Sequence, residues 1–161
     1  MAIVLFRVDE RLIHGQVVVG WGTVLHPDVF VVVDDELAES GWEQELYCLG
    51  LPPQMEARFA SVTQAREQLP GWQTGWPRVL VLTRNVRTMR RLLEGVALPG
   101  VEVNIGGLHF APGRRAVLPY VYLSDEERDD VEALATEGVS VSARDLPSTR
   151  ATHLAQLLGS E

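Results

Sequence analysis

Phe6-Arg-Val-Asp-Glu-Arg-Leu-Ile-His14-Gly-Gln-Val17 joins two apolar runs of different character. Before it, Ile3-Val-Leu-Phe6 is short and continuous and reads as a buried strand. After it, the apolar residues from Val17 to Val24, interrupted by Gly20 and Gly22, read as the body of a helix. A charged loop with one histidine therefore lies where a strand gives way to a helix. In open α/β sheets, loops at the carboxyl ends of strands build the ligand site. A helix start adds unpaired N–H groups and the positive end of a dipole, both suited to a phosphate. Arg7 and Arg11 flank the position, and His14 is a candidate nucleophile. This assortment suits phosphoryl transfer through a phosphohistidine.

Working outward, the same alternation repeats. His26-Pro-Asp28 ends the first helix, since proline cannot continue one. Val29–Val33 is a continuous apolar run, expected of a strand covered on both faces. Asp34 and Asp35 follow at its carboxyl end and read as caps of a helix over 36–51, which Pro52-Pro53 breaks. Ala57–Ala60 is a third strand, and Ser61 with Gln64 forms a capping box for a helix to Leu69. The stretch 70–77 reads as a loop whose tryptophans cover the sheet's edge. Val79–Leu82 is a fourth strand, followed by a helix over 86–94 with Met89, Leu92 and Leu93 at core spacing.

Val101–Ile105 is a fifth strand, leading into Gly106-Gly107-Leu-His109. The stretch 116–123 is strand-like, but Pro119 marks an edge or a bend. Ser124 and Glu127 form a second capping box, opening an acidic helix to Glu137 that reads as a solvated face, with Gly138 as its C-cap. Val139–Ala143 alternates as the last strand, and Ser148 caps a final helix through Leu158. The order predicts a single α/β domain over 1–161, a mostly parallel, doubly wound open sheet of about seven strands with helices on both faces. No internal repeat, low-complexity segment or linker divides it.

Composition narrows the function. An apolar fraction of 46% and a charged fraction of 22% are those of a soluble globular protein. No apolar stretch has the length of a membrane span, and Met1–Phe6 is too short for a secretory signal, so we expect the chain in the cytoplasm. A net charge of −8 argues against nucleic-acid binding. All 14 basic residues are arginine, which removes a Schiff-base lysine and a P-loop lysine. Cys48, the one cysteine, lies among leucines and reads as a small buried hydrophobe.

The run Arg7 to Val17, followed by Trp21, resembles the signature loop of the IIB subunits of the mannose/fructose/sorbose phosphotransferase systems. Val103–His109 with Gly113 resembles that family's second glycine-rich stretch, and Gly138–Pro147 its last strand. Glu10 stands where the family more often has Asp, and Leu108 where Met is common. The resemblance covers nearly the whole chain and implies the same doubly wound fold. It implies that His14 accepts a phosphoryl group, on Nδ1, from a phosphohistidine of a IIA subunit. The group then passes to a hexose-type sugar held by membrane IIC/IID subunits, which would bring the chain to the inner face of the plasma membrane. It implies Arg11, Asp9 and Arg7 as helpers of His14, and no cofactor beyond the covalent intermediate.

The residues themselves say why this chemistry is feasible. Histidine's ordinary pKa near 6.5 leaves neutral imidazole at neutral pH. Phosphoryl transfer is mostly positioning and electrostatics, and guanidinium forks match phosphate oxygens. We therefore expect Arg7, Arg11 and Gly15 to bind phosphate, with Gly106 and Gly107 as a wall on the phosphate side. Asp9 could orient the imidazole or hold an arginine. Gln16 can hydrogen-bond within the loop, Trp21 reads as core packing, and His109 is either a second titratable group or a loop residue. Four readings stay open at this point: a sugar phosphocarrier, a regulatory phosphohistidine carrier without transport, a binding module without covalent chemistry, and a metal-dependent hydrolase using His14, His109, Asp34 and Asp35. Self-association of the chain is also open.

Overall fold

A computed structural model of the protein describes residues 3–74, 76–96, 100–154 and 158. Its centre is a seven-stranded sheet made of β1 (Ile3–Val8), β2 (Val29–Val33), β3 (Glu56–Ala60), β4 (Val79–Thr83), β5 (Glu102–Ile105), β8 (Ser140–Ala143) and β9 (Thr152–His153). The spatial order is β3-β2-β4-β1-β5-β8-β9, parallel throughout except for the β8–β9 pair. β6 (Arg115–Leu118) and β7 (Val121–Leu123) form a separate antiparallel hairpin.

The continuous apolar runs have the reason expected of them. β2 and β4 are buried at every residue, because helices cover both faces. On one face, Val29, Val31, Val79 and Val81 pack with α3 (Val62–Gln73), α4 (Val86–Leu93) and α5 (Asp125–Thr136). On the other, Phe30, Val32, Leu80 and Leu82 pack with Val17, Val18 and Trp21 of the first helix. That helix opens as a π-helical segment, Gln16–Trp21, which runs directly into an α-helical turn, Gly22–Leu25; together they are α1. Both predicted capping boxes, Ser61 with Gln64 and Ser124 with Glu127, are formed.

Several expectations need correction. The helix expected over 36–51 is a 3₁₀ turn, Leu37–Glu39, and a separate α2, Gly41–Cys48, with no buried residue. Cys48 is therefore exposed rather than buried: α2 turns Tyr47 toward Phe59 and the core and leaves Cys48 facing solvent. α3 runs through Pro70 to Gln73, since burial of Trp72 in the core outweighs the lost N–H; Trp76 is exposed. The strand-like stretch 116–123 folds back at Pro119 into the β6–β7 hairpin. Where a helix was expected from Ser148, Thr152 and His153 instead pair with Ala143 and Ser142 as β9. Leu154 and Leu158 are helical, and residues 155–157 of that expected helix lie outside the described residues.

The topology creates a crevice. β1 and β5 are neighbours, but the chain leaves β1 toward β2 on one side and leaves β5 toward β8 on the other. Adjacent strands with diverging connections open a cleft at their carboxyl ends. The loop Asp9–Gly15 and the pair Gly106-Gly107 both lie there.

Candidate active site

Backbone hydrogen bonds stitch the first loop across the strand ends. Asp9 N donates to Thr83 O at 2.9 Å, Glu10 N to Gly107 O at 3.0 Å, and Gly106 N to Val8 O at 2.7 Å. The loop then turns tightly, with Leu12 N donating to Asp9 O at 3.0 Å. Leu12 adopts φ +55°, the left-handed region that a side chain rarely enters. Its wholly buried side chain anchors the turn in the core and holds that conformation.

Asp9 is the hub of the loop and has no solvent exposure. Its Oδ2 accepts from Arg7 Nη2 at 3.2 Å, Arg11 Nη2 at 3.1 Å and Gly107 N at 3.2 Å. Its Oδ1 accepts from Arg11 N and Arg11 Nε, both at 3.1 Å. Burial alone would raise its pKa; the contacts from His14 and Arg11 and the Arg7 charge outweigh burial and hold the carboxyl far below its usual range. Asp9 is a carboxylate at any physiological pH.

Arg7 takes a different place from the one expected. Its side chain is fully buried, so it cannot meet a phosphate from solvent. Nη1 donates to Asn104 Oδ1 and, at 2.9 Å, to Arg144 O; Nη2 donates to Asp145 O at 3.2 Å as well as to Asp9. The Trp21 ring lies 5.1 Å from the guanidinium carbon, and Trp21 Nε1 donates to Asp145 O at 3.2 Å. Burial lowers the Arg7 pKa, and the Asp9 charge offsets part of that. Arg7 thus supports Asp9 from below. Gly106 serves this pair: a Cβ there would lie 2.5 Å from both Arg7 Cζ and Asp9 Oδ2. Gly107 gives its N–H to Asp9, and a Cβ there would lie 3.2 Å from Arg11 Nη2, so the two glycines wall the Asp9–arginine group.

His14 sits above this support. Its side chain is mostly buried, and Nε2 lies 3.3 Å from Asp9 Oδ2. The two groups are in contact without an aligned hydrogen bond. Nδ1 accepts from Gln16 N at 3.2 Å. The carboxylate favours a proton on Nε2, which leaves the Nδ1 lone pair as the acceptor of the ring. Arg11 lies alongside, half-exposed, with Nη2 also donating to Gln16 Oε1 at 2.8 Å. Gly15 is exposed, and a Cβ there would meet nothing within 4 Å, so the approach to His14 is open. The group can present a neutral imidazole to an electrophile, hold a developing ring charge against Asp9, and place one guanidinium beside the incoming anion.

The remaining candidates fall elsewhere. Glu10 accepts from His109 N at 3.2 Å, contacts His109 Nδ1 at 3.0 Å and pairs with Arg114. Arg114 also forks onto Glu127 at 2.9 and 3.0 Å, tying the loop to the start of α5. His109 is thereby an exposed member of an ion network beside the site. Asp34 accepts from Leu37 N and pairs with Arg84 at 2.8 Å, while Asp35 accepts from Val62 N at the start of α3. Among the described residues, no three His, Cys, Asp or Glu side chains converge as a metal-ligand set. The ligand set of the hydrolase reading is not assembled.

Sequence reasoning missed Asn104, although a polar residue inside Val-Asn-Ile was a visible signal. It also missed the Arg144 and Asp145 carbonyls, which carry no side-chain signature at all.

A family model described as "PTS system sorbose subfamily IIB component" matches residues 3–161. The chain is 30% identical over 148 residues to the N-acetylgalactosamine-specific phosphotransferase enzyme IIB component 1 of Escherichia coli strain K12, covering 90% of this chain and 91% of that protein. It is 29% identical over 144 residues to the mannose-specific EIIAB component of the same organism, covering 89% of this chain and 44% of that longer protein. The crystal structure of the N-acetylgalactosamine-specific IIB component 1 from Escherichia coli superposes with a TM-score of 0.84 at 28% identity, covering 94% of this chain and 98% of that one.

Proposed function

The chain belongs to the sorbose subfamily of phosphotransferase-system IIB components, and from that premise we propose that His14 is its phosphoryl carrier. The observation that carries the proposal is the division of labour on the imidazole: Nε2 faces the buried Asp9 carboxylate, Nδ1 accepts from the Gln16 main-chain N–H, and Arg11 is held between Asp9 and Gln16. The donor is a phosphohistidine on a IIA domain. The mannose-specific relative, whose name joins A and B components, supports that partner.

In the first step the Nδ1 lone pair attacks phosphorus. The P–N bond of the donor breaks, and its electron pair returns to the donor imidazole. His14 then carries phosphorus on Nδ1 and a proton on Nε2, and its ring gains positive charge. Asp9 neutralises that charge at 3.3 Å. Arg11 meets the equatorial oxygens, where the transition-state charge is spread. In the second step an acceptor hydroxyl attacks phosphorus, the Nδ1–P bond breaks, and the ring becomes neutral again. The hydroxyl proton leaves to a base on the acceptor's side. The acceptor is a hexose-type sugar presented by membrane IIC/IID subunits. Among the described residues no helix is long and apolar enough to cross a membrane, so the chain would meet that acceptor by docking at the cytoplasmic face.

The test uses a charged IIA domain, with wild type and His14→Ala assayed side by side by intact mass. Wild type is expected to gain one acid-labile phosphoryl group, and His14→Ala none while keeping its melting temperature. Phosphorylation of His14→Ala would overturn the assignment. Replacing Arg11 by Ala should slow acceptance about 10²–10³-fold, the usual cost of removing a group aimed at developing charge.

A further inference from the structure

We infer that Gln16 is a positioning residue of this reaction: its side chain holds Arg11 beside the nucleophile, and its main-chain N–H covers Nδ1 of His14 until the phosphoryl group arrives. The inference rests on the reading of His14 as the carrier.

One residue makes both contacts. Gln16 N donates to His14 Nδ1 at 3.2 Å, and Gln16 Oε1 accepts from Arg11 Nη2 at 2.8 Å. The N–H is free to do this because Gln16 opens the π-helical segment, where the first N–H groups have no intrahelical acceptor. The first backbone bond of the segment to reach back to the loop is Val18 N to His14 O, at 2.9 Å. Releasing Gln16 N from Nδ1 therefore breaks no helical bond.

Arg11 needs the second holder. Asp9 already takes Arg11 Nε and Nη2, on the side facing the core. Left to Asp9 alone, the guanidinium would be drawn toward the carboxylate and away from the open side. Gln16 Oε1 bonds the same Nη2 from the helix side, next to His14. Because the glutamine is neutral, it fixes the cation without cancelling it. A glutamate would hold Arg11 as firmly but would place a negative charge next to an incoming phosphoryl group, which repels it.

The same geometry describes the step. As the Nδ1 lone pair forms the new P–N bond, the Gln16 N–H loses its acceptor and becomes available to an equatorial phosphoryl oxygen. No proton moves: the N–H hydrogen bond changes acceptor, and Arg11 stays protonated throughout. Gln16 lies outside the arginine–aspartate pair that supports the fold, so its effect should be on rate.

Phosphoramidate, a small phosphoryl donor that needs no partner protein, separates this proposal from the reading beneath it. Acceptance is measured by intact mass for wild type, Gln16→Ala, Gln16→Glu, Arg11→Ala and the Gln16→Ala/Arg11→Ala double variant. Long-range ¹H–¹⁵N spectra report the His14 tautomer of each. Gln16→Ala is expected to accept 10- to 100-fold more slowly, the loss of one hydrogen bond to a charged group. Its His14 should remain protonated on Nε2, because the main-chain N–H is kept. Gln16→Glu is expected to be slower than Gln16→Ala, although it restores an acceptor for Arg11. In the Arg11→Ala background, Gln16→Ala should add no further loss, since the glutamine acts through the arginine. If Gln16→Ala melts early, Gln16→Met, of similar length without the oxygen, replaces it. Wild-type acceptance rates in Gln16→Ala, or full additivity with Arg11→Ala, overturn the proposal. A wild type that accepts no phosphoryl group overturns the reading of His14 as well.

Discussion

Asp9, wholly out of solvent, is held by Arg7, Arg11 and the Gly107 N–H, and it faces His14. The residue therefore carries two duties at once, and they can be measured apart. Asp9→Ala leaves the fully buried Arg7 guanidinium without its carboxylate, which should cost about 3–5 kcal/mol in urea unfolding. The pH dependence follows from the lowered pKa of Asp9. Below the ordinary carboxylate value near 4, the unfolded chain binds this proton and the folded one does not. The contribution is thus fully present above about pH 4 and is lost as pH falls toward the lowered folded value. The acid limb of stability should be shallower in Asp9→Asn than in wild type; parallel limbs would remove Asp9 from the account. Much of this was legible: His14, Asp9 and Arg11 stood together in one short loop, and of the alternatives for Asp9, holding an arginine is observed, while the ring's Nε2 lies 3.3 Å from its carboxylate without an aligned hydrogen bond. Arg7 was misjudged because nothing in a local run reveals that Asn104 and the 144–145 carbonyls close over it.

Where elements meet, the decisive contact is the approach of the β5 end to the β1 end. Gly106 is the position that permits it, since a Cβ would strike both members of the Arg7–Asp9 pair. Gly106→Ala should lower stability by several kcal/mol, on the scale of disrupting a buried ion pair. Gly15→Ala should change it by less than about 0.5 kcal/mol, because Gly15 is exposed, has a right-handed helical conformation and has open space around it. Chemical denaturation of the two variants decides the matter, and equal losses would contradict this reading of the crevice. The strands themselves were readable from apolar runs bounded by proline, glycine and caps. The errors have a common source in tertiary context. β9 exists because the outer edge of β8 offers two residues something to pair with. α3 passes Pro70 because Trp72 finds a place in the core. α2 carries Leu46 and Tyr47, yet it lies at the border of the sheet and buries neither fully.

At the scale of the whole molecule, a doubly wound sheet brings β1 and β5 together at the point where their connections diverge, and sets the histidine loop over that point. The fold class was legible because the strand–helix alternation is nearly unbroken; the strand order was not, because parallel pairing leaves no local trace. The arrangement makes a claim about a single atom. Asp9 faces Nε2, so we predict that the phosphoryl group of the proposed carrier sits on Nδ1. The most direct measurement is a long-range ¹H–¹⁵N and ³¹P spectrum of the protein after phosphorylation by a charged IIA domain. The account predicts phosphorus coupled to Nδ1 of His14, with Nε2 protonated. Phosphorus on Nε2, or on any residue other than His14, would contradict it.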